Sequence, residues 1–195
     1  MFGTYSAYDY SLGKIHITGP SLEDPIDFDV GFFSDEADFD ITAHVWAYKK
    51  LRAIMRSTEM YRGEVQLGHP QFPVGSKVAC ETKVDLNVDQ RNIEYSAEDD
   101  KAIEKFLRET VQTTWHSLGT CPMRSREEGG VVNPDLNVYG VEGLKCIDLS
   151  IAGQVGANTN HTAFIVGEKG ADIIIQELGL RSHQACGMYT LGYCC

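Results

Sequence analysis

SAEDDKAIEKFLRETVQTTWHSLGTCPM, residues 96–123, joins the clearest helical pattern in the chain to its most unusual loop. Ser96 followed three residues later by Asp99 resembles a capping box, in which hydroxyl and carboxylate satisfy the free N–H groups of a helix start. Ile103, Phe106, Leu107 and Val111 then recur at spacings of three and four, which gives the helix one apolar face. That helix delivers the chain to Trp115-His116. A run of small and polar residues follows, in which Gly119 allows close backbone approach to a ligand.

Working outward, Lys14 to Thr18 (KIHIT) alternate with β-branched side chains between Gly13 and Gly19-Pro20, which predicts a short strand with one buried face. Ser34 is placed to cap an acidic first turn, Asp35-Glu36. Phe39, Val45, Trp46, Leu51 and Met55 then mark an amphipathic helix with basic residues late in the run. Gly63 to Ser76 reads as loop, and Glu81 to Asn92 as an exposed connection or a weak strand. On the other side, Leu144 to Ile147 is a strand candidate and Asp148 to His161 a loop. A last helix is expected from about Thr162 to Leu178, stopped by Gly179.

With 195 residues, 43% hydrophobic and 23% charged, the chain can build one substantial core or two small ones. Its 17 basic against 28 acidic side chains leave a net charge of -11, which repels phosphate backbones and anionic membrane surfaces and argues against nucleic acid as a partner. No apolar run is long enough to span a bilayer, and MFGTYSAYDYSLG lacks the regions of a secretory signal, so an intracellular protein is expected with no membrane partner. Cys80, Cys121, Cys146, Cys186, Cys194 and Cys195 show no metal-ligand spacing, and no metal is expected; they read as free thiols. Residues 181–195, RSHQACGMYTLGYCC, carry no helical or strand period and are expected to be disordered.

Histidine is the side chain best matched to proton transfer near neutral pH. His16 in a strand pattern, His44 on a helix, His69 beside a proline and His183 in the tail read as structural or surface histidines. His116 is open between a functional and a structural reading. The stretch Gly156-Ala157-Asn158-Thr159-Asn160-His161-Thr162 precedes a helix whose free N–H groups favour a partly negative ligand atom. Simple capping by Asn160 or Thr162 is the stronger reading of those residues alone. Asp148 is either a turn residue or one that faces a cofactor hydroxyl.

In combination these segments say more. WHSLGTCPM, VVNPDLNVYGVEGLKCIDLSI and GANTNHTAFIVGEKGADII resemble, in order and spacing, the C-terminal signature of the glucose-methanol-choline (GMC) oxidoreductases. The resemblance extends upstream through YSLGKIHIT, DPIDFDVGFF, VWAYKKLRAIM and GEVQLGHPQFP, reaches about Leu180, and looks most like the short-chain alcohol oxidases of fungi. It implies an α+β fold: a mostly antiparallel sheet with flanking helices over residues 1–125 as the substrate-binding domain. Residues 126–180 would return a strand, a loop and a helix to an incomplete FAD-binding domain.

Carried over position by position, the resemblance makes His116 the base that removes the substrate hydroxyl proton and Asn158 the residue that holds the alkoxide oxygen while hydride passes to flavin N5. It places Asp148 and Leu149 toward the ribityl and phosphate region of FAD. Asn160, His161 and Thr162 fall at the start of a helix against the pyrimidine end of the ring, His161 where a less bulky residue is more usual. The implied reaction oxidises a small primary alcohol to an aldehyde, with molecular oxygen reduced to hydrogen peroxide.

The sequence departs from the family in three respects. No Gly-x-Gly-x-x-Gly phosphate-binding turn occurs, the stretch between Pro73 and Ile93 looks short, and the C-terminus carries no peroxisomal address although the family resemblance implies that compartment. The chain is therefore expected to need a missing N-terminal FAD-binding half or to self-associate. The alternatives are an inactive truncated fragment, or an aryl-alcohol or choline-type enzyme of the same family.

Overall fold

A computed structural model describes residues 3–82, 93–156 and 158–180. The expected disorder of 181–195 lies outside the described residues, as do His183 and most of Glu81 to Asn92. The chain divides into two compact units, Met1–Thr114 and Trp115–Cys195. Among the described residues the architecture is α+β, with one two-stranded antiparallel sheet and three α-helices.

In the first unit, β1 (Lys14–Ile17) pairs with β2 (Ile26–Asp29), Ile15 opposite Phe28 and Ile17 opposite Ile26. The alternation expected from the sequence is present: one face carries these four apolar side chains, and the other carries Lys14, His16, Asp27 and Asp29 with a Lys14–Asp27 ion pair. The expected buried face is not. All eight residues are exposed, Ile17 by 86% and Phe28 by 64%, because no second layer among the described residues of this unit covers the hairpin.

Helix α1 (Phe39–Arg56) begins later than Ser34 would place it. Asp38 N–H closes a turn on Asp35 O, Asp38 takes a left-handed φ of 52°, and the Asp35 carboxylate accepts from Phe39 N–H at 2.6 Å. The capping oxygen therefore comes from one turn upstream, and Ser34 N–H instead donates to Ser11 Oγ. Asp40, buried in the first turn, accepts from the backbone N–H groups of Tyr10 and Ser11 and ties the N-terminal segment to the helix. Burial alone would raise its pKa, but these hydrogen bonds, with that of the Ser11 hydroxyl, hold it below the usual carboxylate range.

Helix α2 (Ala97–Thr110) has the capping box read from Ser96 and Asp99: Asp99 N–H donates to Ser96 Oγ at 3.2 Å and Ser96 N–H to Asp99 Oδ2 at 2.8 Å. Asp99 also accepts from Ser76 Oγ at 2.6 Å, which ties the preceding loop to the helix start. Ile103 and Val78 are fully buried, and α2 packs on α1.

The second unit is built around Val132, Leu136, Ile151 and Ile173, with Val131, Val138, Cys146, Ile147 and Val166 packed against them. Leu144 to Ile147 does not form the expected strand. Lys145 makes a single bridge to Asn137 and Cys146 N–H donates to Leu136 O, so its β-favouring side chains serve the core without a ladder. Helix α3 (Asn160–Glu177) ends as the glycine predicts: Gly179 at φ 62° donates to Gln176 O and Leu180 to Ile175 O, the two bonds of a Schellman motif. Gly170 lets α3 press against Ile147, whose Cγ2 would lie 2.2 Å from an added Cβ.

Candidate functional site

His116 and Asn158 lie 42 residues apart in sequence, and both belong to the second unit. The loop after His116 is drawn to a second segment by three backbone bonds: Gly119 N–H to Leu149 O, Cys121 N–H to Ser150 O and Met123 N–H to Ile151 O. Gly119 sits at φ 81°, and a side chain there would come within 3.3 Å of Ala152 O, so its lack of a Cβ serves both the turn and the close approach. Trp115, just before His116, holds a left-handed φ of 60°. For a bulky residue that conformation carries strain, the kind that is tolerated where the fold over-determines a side chain's direction.

The segment on the other side is a 3-10 turn, Leu149–Ile151, capped by Asp148, whose Oδ1 accepts from Ser150 N–H at 2.7 Å. The hydrogen bonds from Ser150 lower the Asp148 pKa. Asp148 thus makes the turn contact, accepting from both the hydroxyl and the backbone N–H of Ser150.

At the end of the following loop, Asn158 Oδ1 accepts from Asn160 N–H at 3.0 Å, and Asn158 Nδ2 lies 2.9 Å from His116 Nε2. The first contact decides the second. A backbone N–H needs an acceptor, so Oδ1 must face Asn160 and the NH2 must face the imidazole. The amide therefore donates to Nε2, which has to be an unprotonated lone pair, with the ring proton on Nδ1. His116 is half-buried and Asn158 exposed.

Thr159, not Asn160 or Thr162, is the N-cap of α3, and it makes no side-chain cap bond. Asn160 and His161 are exposed and Thr162 is half-buried in the first turn. The N–H groups of that turn have no partner within the helix, apart from the one that Asn158 takes. Capping by Asn158 went unread in the sequence. Its signal was the Asn-x-Asn spacing, in which a side-chain oxygen reaches the N–H two residues on.

The first unit holds a second polar cluster. Arg52 Nε and Nη2 donate to the two oxygens of Glu64 at 2.6 Å each, with side chains 2% and 5% exposed. Arg56 Nη1 adds a bond to Oε1 at 3.2 Å and Glu81 N–H one to Oε2 at 3.3 Å. Burial favours the neutral acid, but the Arg52 contacts outweigh it and lower the Glu64 pKa. Donor atoms of Glu64, His69 and Cys80 lie within 4.8 Å of one another, a proximity that the spacing of the cysteines did not reveal. All four lone-pair directions of Glu64 are already used, so the arrangement is a buried ion-pair clamp rather than an open ligand set. His69 Nδ1 is 2.6 Å from Tyr48 Oη, and burial holds its pKa down; His44 Nδ1 contacts Asp40 O. Among the described residues no helix is long and apolar enough to cross a membrane.

A family model described as GMC oxidoreductase matches residues 9–167. The chain belongs to the GMC oxidoreductase family. It is 38% identical over 221 aligned positions to alcohol oxidase 1 of Komagataella phaffii, covering 88% of this chain and 33% of that protein. With alcohol oxidase of Pichia angusta it shares 37% identity, covering 88% and 32%. It spans about a third of the length of these curated relatives. Among solved structures, a fungal aryl-alcohol oxidase matches with TM-score 0.54 and 28% identity, over 86% of this chain and 24% of its own. A formate oxidase of Aspergillus oryzae matches with TM-score 0.62 over 87% and 26%; at 22% identity it speaks for the fold alone.

Proposed function

We propose that this chain supplies the C-terminal part of an FAD-dependent oxidase that converts a small primary alcohol to its aldehyde and reduces oxygen to hydrogen peroxide. The observation that carries the reading is the His116–Asn158 pair at the start of α3, with an unprotonated Nε2 facing an amide donor whose orientation Asn160 N–H fixes. It occurs in a GMC-family chain whose relatives include named alcohol oxidases.

The residues present fit the flavin end of FAD. Beyond the Asn160 N–H that Asn158 takes, the start of α3 offers N–H groups with no bond from the N-cap side chain, a positive dipole end suited to a partly negative ring edge. Asn160, His161 and Thr162 would hold that edge. Asp148, at the cap of the 3-10 turn, and Leu149 would meet the ribityl and phosphate region. Gly-x-Gly-x-x-Gly does not occur in these 195 residues, so the adenosine end would be held by residues outside them. Bound FAD supplies the hydride acceptor.

The remaining chemistry belongs to the chain. An alcohol hydroxyl entering between the two side chains replaces the Asn158–His116 bond. The hydroxyl donates its proton to His116 Nε2, and Asn158 Nδ2 donates to the oxygen as negative charge develops there. Because Asn160 N–H prevents the amide from turning over, Asn158 offers only its donor side to that oxygen. The imidazolium formed carries protons on both nitrogens and no longer competes for the amide.

The test is to combine the chain with a polypeptide carrying the dinucleotide-binding two-thirds of a fungal alcohol oxidase, add FAD, and record the visible flavin absorption. Methanol, an aryl alcohol and choline are then added in turn without oxygen. Bleaching by methanol in the combined sample is expected. Bleaching only by the aryl alcohol or choline would overturn the substrate class, and a bound flavin that none of them bleaches would overturn the activity.

A further inference from the structure

Trp115, the residue immediately before His116, is unfavourable to the fold on two counts. Its backbone holds a left-handed φ of 60°, and its side chain is 84% exposed, more than any other aromatic side chain among the described residues. The other described non-glycine residues at positive φ each gain something where they stand. Leu136 is 4% exposed in the core of its unit and closes a turn on Asn133 O, Asp38 is the N-cap of α1, and the Phe33 ring meets His44 edge-on. At Trp115 a large apolar ring is left in water on a conformation that glycine or asparagine adopts at less cost. Stability alone does not account for a tryptophan there. Trp115 and His116 share a peptide, with Cα atoms about 3.8 Å apart, which brings the indole within reach of a molecule bound at His116 Nε2.

We propose that the Trp115 indole is a wall of the alcohol site, packing against the carbon side of the substrate and limiting the size of alcohol that reaches His116. This role rests on the function proposed above, to which it adds the residue that selects the substrate. His116 and Asn158 take the hydroxyl, so the group that meets the carbon chain has to be apolar. An indole is rigid and offers a wide apolar surface with few torsions to fix. A wall of this kind acts on volume: one methylene more or less in an apolar pocket changes kcat/KM by about 10–200-fold. Backbone strain and an exposed apolar surface are both tolerated where a side chain meets a ligand.

The experiment compares Trp115→Gly, which suits the left-handed backbone and removes the ring, with Trp115→Phe, which keeps a smaller ring. In urea unfolding of the full chain, followed by circular dichroism, the midpoint of Trp115→Gly should equal or exceed that of the unsubstituted chain; a lower midpoint would make the indole part of the fold and overturn the proposal. In the assembled oxidase with equal flavin content, Trp115→Gly should raise kcat/KM for benzyl alcohol relative to methanol by roughly tenfold or more, with Trp115→Phe between the two. An unchanged ratio overturns the wall. A third measurement stands apart from turnover. Fluorotryptophan incorporated in this chain alone labels its two tryptophans, and Trp46→Phe assigns their fluorine NMR signals. Methanol added after dithionite has reduced the flavin should shift the Trp115 signal saturably and leave that of Trp46 in place. Should the assembled enzyme oxidise none of the alcohols, this shift still decides: its presence keeps the wall while the proposed reaction fails, and its absence overturns the wall.

Discussion

Replacing Glu64 by alanine removes the acceptor of four hydrogen bonds and leaves Arg52, 2% exposed, without its carboxylate, while Arg56 keeps its ion pair with Glu81. At about 4 Å and an effective dielectric near 20, each lost attraction is worth about 4 kcal/mol before solvation is counted. Breaking a buried pair from one side typically costs about 3–5 kcal/mol, since the remaining charge cannot reach water. Against a domain stability of about 5–15 kcal/mol, that is a large fraction of the total. The melting midpoint of the first unit should fall by roughly 15 °C or more. Circular dichroism during heating measures it, with Glu81→Ala as the comparison. Glu81 is 35% exposed and contacts only Arg56 among the clamp cations, so its loss should cost about 1 kcal/mol or less. Equal midpoints for the two variants would refute the view that Glu64 is the centre of the clamp.

Gly170→Ala should destabilise the second unit by about 1–3 kcal/mol, because its methyl group meets Ile147, and Ile147→Ala in the same chain should return part of the loss in urea unfolding. Acid should weaken the first unit in two stages. His69 has a folded pKa below its unfolded value, so stability is lost as pH falls from about 6.5 toward the folded pKa. Glu64 is likewise depressed, so its contribution is full above the ordinary glutamate pKa of about 4.3 and is lost as pH falls through the folded one. Unfolding midpoints measured across pH should fall in both windows, and His69→Gln should flatten the upper one. The apolar face of the hairpin should bind a hydrophobic dye in the isolated chain, and Ile17→Lys with Phe28→Lys should reduce that signal severalfold without loss of helical content.

What the sequence revealed was local. The Ser96–Asp99 box, the apolar face beginning at Ile103 and the Gly179 stop each depend on residues within one or two turns, and all three stand in the structure. The start of α1 did not follow from Ser34, because a left-handed Asp38 and a cap from Asp35 interpose a turn that no propensity encodes. KIHIT showed the right alternation but not its exposure, since burial depends on what lies over a face. Leu144 to Ile147 has strand-favouring side chains, yet pairing requires a partner, and Asn137 offers a single bridge. The clamp of Arg52 and Glu64 joins a helix to a loop 12 residues away and left no periodic trace. Resemblance, rather than spacing, drew attention to His116 and Asn158 together; the backbone bonds from Gly119, Cys121 and Met123 supply the physical reason that one loop reaches the other.

The most direct test of the account is steady-state oxidation of methanol by the assembled oxidase with His116→Ala and with Asn158→Ala, each checked for unchanged flavin content. Loss of the base should lower kcat by roughly 10²–10⁴-fold, and loss of the amide donor by roughly 10²–10³-fold, with the double variant little worse than His116→Ala because the two act on one oxygen. A His116→Ala enzyme that binds FAD and turns over methanol at close to the original rate would contradict the account at its centre.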